Sequence, residues 1–472
     1  MTSLLLAWLL TQAATAAPAR PNVVLFFIDT LRADHVSCLG YPKRTSPALD
    51  ALASQGTLFE AAIAPSPWSL PSYSTILSGL HPPSHAVDQS AQFLDRSFLT
   101  LPKILATHGY ATGGFVGGGH LSRSFGLDNG FATYRDKPHF GSFFHTVPEA
   151  LEWLDAGAGK RPFFALVQGY DVHCPYQPPA GFSELYDPDY RGLVHERELL
   201  KSDILRNVVD NVVRLPLAQP AFAPAPRPAS SGFASSLLDV SPGTRIERIP
   251  LSEADRRHIV AHYDGAVSYA DSWLGVFRDE LKARGLLEST ILIVAGDHGE
   301  SLGEHGYYGH IRDLYEEQLH VPLAFSGPGI AAGRRIRDVV GLVDLAPTVL
   351  ELCAIPPCHE FQGRSLSALV NAAAAPPPPP PDQVAYSCLS TALSARTSRW
   401  HLILRRGGGA VLYDLPNDVL EQNDVSAAHP RESQLLRGLL LDWYEKFKRP
   451  PRAPDARLTF EEHRMFQRMG YW

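Results

Sequence analysis

The stretch Val23-Val-Leu-Phe-Phe-Ile-Asp29 ends an unbroken apolar run on a carboxylate, and Ile291-Leu-Ile-Val-Ala-Gly-Asp297-His298 repeats the pattern far downstream. Runs of this kind read as strands of a parallel sheet covered on both faces. Open sheets of that class collect their ligand sites just beyond the carboxyl ends of the strands, so Asp29, Asp297 and His298 are expected at one rim. A third segment, Ser69-Leu-Pro-Ser72, places Pro71 where the first turn of a helix tolerates it. Ser69 is therefore expected just before a helix N-terminus, where free N–H groups and the helix dipole favour an anion. Two Asp oxygens, one His nitrogen and one Ser-derived oxygen make a shell for a divalent cation that polarises a tetrahedral oxyanion ester. Ser69 would be the nucleophile. Taken singly, Ser69 reads as a helix cap and Asp29 as a turn former, and their joint occurrence carries the functional reading.

Five stretches then resemble the sulfatase family of the alkaline-phosphatase-like superfamily. They are Arg20-Pro-Asn-Val-Val-Leu-Phe-Phe-Ile-Asp29-Thr-Leu-Arg-Ala-Asp34-His, Ser66-Pro-Trp-Ser69-Leu-Pro-Ser-Tyr73, Asp171-Val-His173-Cys-Pro-Tyr176, Gly296-Asp-His-Gly-Glu300 through Gly303-Glu-His-Gly306, and Val343-Asp-Leu-Ala-Pro-Thr348. The resemblance implies an α/β fold with a mixed, mostly parallel sheet, helices on both faces and a small C-terminal sheet-plus-helix domain. It implies a metal set of Asp29, Ser69, Asp297 and His298, and a Ser69 that is oxidised to formylglycine before it attacks sulfur. By the same resemblance His173 binds the transferring group or protonates the leaving oxygen, a task suited to imidazole near neutral pH. His310 matches a position that contacts the substrate's sulfate. The implied cofactor is a divalent cation, Ca2+ or Mg2+ for sulfatase chemistry, with Mn2+ competitive for phosphotransfer.

The chain departs from the family pattern at two places. Tyr73 stands where the motif has Arg, and Thr30 stands where many members carry a second Asp. Both departures favour an alternative in which unmodified Ser69 attacks phosphodiester or phosphonate esters. A second alternative, from another class, is a catalytically silent relative that binds esters without turnover. Gly117-Gly-Gly-His120 lacks dinucleotide-binding spacing and reads as a turn, and Arg32 reads as a solvated side chain.

The 472 residues, 45% of them hydrophobic, can bury a large core. A net charge of −7 with only isolated basic pairs argues against nucleic acid, and leaves a small anionic ester, recognised locally, as the expected partner. Leu4 to Leu10 followed by Ala14-Thr-Ala-Ala17 reads as a signal peptide over 1–17, so the protein is expected to be exported, to a periplasm or outside the cell. No later run approaches the roughly 20 apolar residues needed to span a bilayer, so no integral membrane segment is expected once the signal is removed. Five cysteines without zinc-ribbon spacing exclude a zinc finger or a disulfide scaffold, although Cys353 and Cys358 lie close enough to pair.

A catalytic domain is expected over 18–371. Its long helix runs from Glu253 to about Arg284, with Ile259, Tyr263, Ala266, Val267, Ala270, Trp273 and Leu274 at core spacing. Within it, 215–242 is rich in Pro, Ala and Ser and reads as a flexible insertion, a candidate lid. The prolines of 372–382 form a stiff linker. The remainder, 383–472, reads as an α+β subdomain with a hairpin at Trp400–Arg405 and Ala410–Leu415 and a helix from about Glu432 to Phe447.

Overall fold

The computed structural model describes residues 20–89, 92–192, 194, 211–214, 247–373, 375–378, 383–448 and 458–459. The expected leader, the 215–242 insertion and the end of the proline run lie outside these residues.

Eight strands form the main sheet: β1 (Asn22–Ile28), β2 (Thr57–Ile63), β3 (Ala111–Phe115), β4 (Thr133–Arg135), β5 (Phe163–Gly169), β6 (Thr290–Gly296), β7 (His320–Ser326) and β8 (Arg334–Gly341). Their order is β8-β2-β7-β6-β1-β5-β3-β4. Strand β7 runs antiparallel to both neighbours, and the other pairings are parallel. This is the expected mixed, mostly parallel sheet.

Strand β1 lies inside the sheet and shows why its sequence is apolar without alternation. Val23, Leu25 and Phe27 pack into the core on one face, while Val24, Phe26 and Ile28 pack into the core on the other. The first face is covered by helix α1 (Ser69–Ser78) through Leu70, Tyr73, Ile76 and Leu77. The second is covered by α2 (Phe143–Asp155) and α3 (Glu253–Ala283). Helix α3 starts on a capping box, in which Ser252 Oγ accepts from Asp255 N and Asp255 Oδ2 accepts from Ser252 N. Helix α4 (Leu345–Leu352) adds Leu345, Val349 and Leu350 to the first face.

The register of the central strands sets the height of the site. Ile28 pairs with Gly169 on one side and with Gly296 on the other. The residues that follow, Asp29, Tyr170 and Asp297, therefore leave the sheet side by side.

Four antiparallel strands follow in sequence order: β9 (Ala385–Leu389), β10 (Ala392–Arg396), β11 (Trp400–Arg405) and β12 (Ala410–Asp414). The pair β11–β12 is the expected hairpin. Strands β9 and β10, written in Ala, Ser and Cys rather than in β-branched residues, carry little strand signal and were not foreseen. Helix α5 (Pro430–Phe447) begins two residues before its expected start, with Pro430 in its first turn. Leu436, Leu440 and Trp443 pack it against Ala395, Leu402 and Leu412. The small sheet is tied to the main body where Ser387 Oγ donates to Ala64 O (2.7 Å) and Cys388 N donates to Pro65 O (2.9 Å). All five cysteines are free thiols, so Cys353 and Cys358 are not paired.

Phe26 is fully buried and stacks on Phe143 with ring centroids 4.6 Å apart, joining β1 to α2. Phe26→Ala is expected to destabilise the protein by about 3–5 kcal/mol. Chemical unfolding monitored by tryptophan fluorescence measures it.

Candidate active site

Asp29, Asp297 and His298 come together at the carboxyl ends of β1 and β6, each with a ligand atom within 4.8 Å of the others. All three are fully buried. Ser69 joins them: its Oγ lies 3.3 Å from Asp29 Oδ2 and 3.2 Å from His298 Nε2. It is the first residue of α1, with Trp68 in the capping position. The expectation that Ser69 precedes the helix is thus corrected by one residue. Its orientation is fixed from below, because Ser72, one turn on, donates to Asp297 O at 2.7 Å.

The hydrogen bonds around the cluster leave one oxygen of each carboxylate unsatisfied. Asp29 Oδ2 accepts from Gln168 Nε2 at 3.2 Å, and Asp297 Oδ1 accepts from the backbone N–H groups of Thr30 (3.2 Å) and His298 (3.0 Å). Asp29 Oδ1 and Asp297 Oδ2 have no hydrogen-bond partner although both are buried, and Asp297 Oδ2 lies 3.5 Å from His298 Nε2. Unsatisfied buried carboxylate oxygens carry a large desolvation penalty, and two facing the same space fit a cation between them. His298 Nδ1 lies 2.8 Å from Gly299 O. A carbonyl only accepts, so Nδ1 carries the proton and Nε2 presents its lone pair to the cluster, the tautomer a metal ligand needs. The donor set, two carboxylates with one imidazole and one Ser oxygen, suits a divalent cation.

Electrostatics point the same way. Burial first, then the charges of Asp297 and Glu300, push the Asp29 carboxyl well above the usual carboxylate range. Burial also raises Asp297, opposed by His298 and by its backbone donors. Both groups resist ionisation until positive charge enters the site.

His173 and His310 extend the cluster. The His310 ring centroid lies 4.7 Å from that of His298 and 5.0 Å from that of His173. Both imidazoles are buried. Glu300 fixes this outer pair: Oε1 lies 3.2 Å from His310 Nδ1, and Oε2 accepts from Cys174 N at 3.2 Å, beside His173. His305 does not reach the site. It stacks on Tyr315 and bonds Glu317 instead.

Several contributors escape a reading of the sequence. Glu300 was legible only as the end of Asp-His-Gly-Glu. Gln168 could have been found as a polar residue closing the apolar run Phe163 to Val167, in register with Phe27 two residues before Asp29; its Oε1 accepts from Gly117 N, which ties the Gly117–Gly119 turn to the centre. Arg32 is not solvated. It is buried, with Nη1 on Glu300 O (3.0 Å) and Glu304 (2.9 Å) and Nη2 on Asp34 (2.7 Å). Thr30 adopts a left-handed φ of 53°, a conformation that costs a β-branched residue roughly 1–3 kcal/mol and that clusters at functional sites. Tyr73, in place of the motif's Arg, is fully buried, packs edge-on against Phe27 with centroids 5.5 Å apart, and leaves its hydroxyl without a partner.

Comparison with known proteins decides the family. A model described as sulfatase matches residues 21–355, and one described as N-sulphoglucosamine sulphohydrolase, C-terminal, matches residues 303–439. The chain belongs to the sulfatase family. Similar sulfatase-family proteins include arylsulfatase K of Homo sapiens, 25% identical over 456 residues that span 89% of this chain and 81% of that protein. A sulfatase of Formosa agariphila is 24% identical, over 74% of this chain and 72% of that one. Among solved structures, one in complex with its substrate D-glucosamine-2-N,6-O-disulfate superposes with a TM-score of 0.72 at 19% identity, over 91% of this chain and 98% of that one. A phosphonate monoester hydrolase of Agrobacterium radiobacter superposes at 0.68 with 20% identity, over 91% and 96%. These structures establish the shared fold.

The raised carboxyls set a sign for stability. Stability contributed by a group whose folded pKa lies above its unfolded one is present below the unfolded carboxylate range and is lost as pH rises through the folded value. At neutral pH the cation-free centre therefore opposes folding. Asp29→Asn is expected to raise the melting temperature of chelator-treated protein at neutral pH and to abolish the further rise expected of the wild type when a divalent cation is added. Thermal melts with chelator and with added cation read both effects.

Proposed function

We propose that this protein hydrolyses sulfate esters, with residue 69, as serine or as the formylglycine made from it, as the nucleophile. The observation that carries the reading is the placement of Ser69 Oγ at the N-terminus of α1, within hydrogen-bond reach of both Asp29 and His298. Asp29, Ser69, Asp297 and His298 would hold the cation, Ca2+ or Mg2+ on this reading. When bound, that ion supplies positive charge that polarises the ester oxygens and favours the ionised nucleophile.

The protein's own groups then have separable tasks. The N–H groups opening α1 face the oxyanion. Attack by the residue 69 oxygen on sulfur breaks the bond to the alcohol, and the alcohol oxygen leaves with a proton from His173. Sulfate remains on residue 69 until water displaces it or, for a formylglycine hydrate, until the second hydroxyl expels it. His310, held by Glu300 between His298 and His173, contacts the sulfate. The relatives' sulfated sugar and arylsulfatase names favour a small anionic ester as substrate. Export rests on the Leu4 to Leu10 run with its small-residue end. The division into a catalytic part over 18–371 and a C-terminal part over 383–472 follows the change from the mixed sheet to the antiparallel one. Among the described residues no helix is long and apolar enough to cross a membrane.

Tyr73 favours a second reading. Where the motif has a cation, this chain has a buried phenol, and an unmodified Ser69 with Mn2+ or Mg2+ would suit phosphodiester or phosphonate esters. The mass of the Ser69 peptide from the native host, with kinetics on an aryl sulfate and an aryl phosphodiester, separates the two. Loss of two hydrogens with preference for the sulfate is expected. An unmodified Ser69 with preference for the diester establishes the second reading, and Ser69→Ala is expected to lose turnover by several orders of magnitude on either ester.

A further inference from the structure

Tyr263 sits on α3 among residues that its sequence spacing marks as core, and it is fully buried there. Its hydroxyl nevertheless makes two hydrogen bonds to the backbone that leaves β1. It donates to Thr30 O at 2.7 Å and accepts from Arg32 N at 3.0 Å. A single oxygen thus bridges the turn on either side of Leu31. Between Asp29, whose N–H still bonds Gly169 O across the sheet, and this bridge, only Thr30 absorbs the change of direction, and it does so with φ at 53°. In that conformation its N–H reaches Asp297 Oδ1 at 3.2 Å. Oδ1 is then occupied by backbone donors, and Oδ2 is the oxygen left over.

We propose that Tyr263 is a positioning residue for the cation centre. Its hydroxyl holds Thr30 in the left-handed conformation, which locks the Asp297 carboxylate by Oδ1 and leaves Oδ2 as the oxygen that would serve a cation. This inference rests on the reading of Asp29, Asp297 and His298 as a cation site. The ring itself is held by neighbours that do not need the hydroxyl, since Tyr176 and His35 both pack edge-on against it, with centroids 5.4 and 5.0 Å away. Tyr263→Phe therefore removes the bridge and keeps the packing.

The bridge and the strain make a paired test. Loss of the bridge lets Thr30 relax out of the left-handed region, which a β-branched residue disfavours. Glycine occupies that region without a Cβ penalty, so Thr30→Gly added to Tyr263→Phe should let the turn re-form. A role in packing alone would not be rescued this way. The measurement is calorimetric titration of Ca2+, Mg2+ and Mn2+ into chelator-stripped full-length protein, followed by kcat and KM on an aryl sulfate. Tyr263→Phe is expected to weaken cation affinity about 10-fold or more, the range seen when a group behind a ligand is removed. The double variant is expected to recover most of that loss. Should the single variant unfold, the double variant carries the test: recovery of folding and of cation affinity to the level of Thr30→Gly supports the positioning role, and failure to recover either overturns it. Wild-type protein that takes up no cation overturns the centre and the positioning role together. Wild-type uptake with unchanged affinity in Tyr263→Phe, or a loss that Thr30→Gly does not repair, overturns the positioning role alone.

Discussion

Two carboxylates buried side by side are the constraint on which the rest of this structure depends. Asp29 and Asp297 leave adjacent parallel strands at the same level, because Ile28 and Gly296 are paired in the ladder. Neither is exposed, each keeps one oxygen without a hydrogen-bond partner, and burial raises both carboxyls, with the charge of Asp297 adding to the rise at Asp29. A protein seldom keeps such an arrangement for stability, since replacing buried charge by apolar packing is often neutral or favourable. The arrangement makes sense when a divalent cation supplies the missing charge, and the lone pair of His298 Nε2 completes the invitation.

Much of the surrounding architecture serves to hold those oxygens still. Gln168 reaches across from β5 to Asp29, the strained Thr30 N–H and the His298 N–H hold Asp297, and Ser72 binds the Asp297 carbonyl from α1. The C-terminal sheet contributes from the other side. Its strand β9 grips Ala64 and Pro65, in the lead-in to Ser69. Arg396 pairs with Glu316 at 3.2 Å and Arg405 with Asp313 at 2.7 Å, anchoring the segment just after His310. Glu421 Oε2 accepts from Glu316 N, and its Oε1 meets His401 Nδ1. The arginine, against the cost of burial, keeps Glu316 ionised, its carboxyl lowered to about 2. The small sheet thus braces both the nucleophile's approach and the imidazole row without placing a residue in the cation cluster.

The sequence declared the parts whose physics is local or repetitive. Apolar runs ending in Asp gave away the sheet and its rim, because a strand buried on both faces has no polar alternation to hide behind. Ser69, His173, His298 and His310 were legible from their motifs, and the structure brings all four to one place. What was not legible depends on contacts across long sequence distances. Tyr263 looks like any core residue of a helix stripe until its hydroxyl is seen to meet Thr30, and Arg32 looks like a surface cation until Glu300, Glu304 and Asp34 surround it. Strands β9 and β10 hide for the opposite reason: small residues fit where two sheets approach, but they carry weak strand preference on their own.

Tyr73 and Thr30 show how two departures from a motif can act as one. A site that loses an acidic ligand position loses negative charge, and one that loses the motif's Arg loses positive charge. Thr30 removes the first and Tyr73 the second, so the net charge of the cluster changes less than either substitution alone would require. The phenol keeps the volume of a long side chain between α1 and the sheet, packed on Phe27, without a fixed charge near Asp29 and Asp297. Charge balance is then left to the cation and the substrate anion themselves. The buried guanidinium nearby, that of Arg32, is spent on Glu300 O, Glu304 and Asp34, so Tyr73 leaves the position of the motif's Arg without a cation of its own.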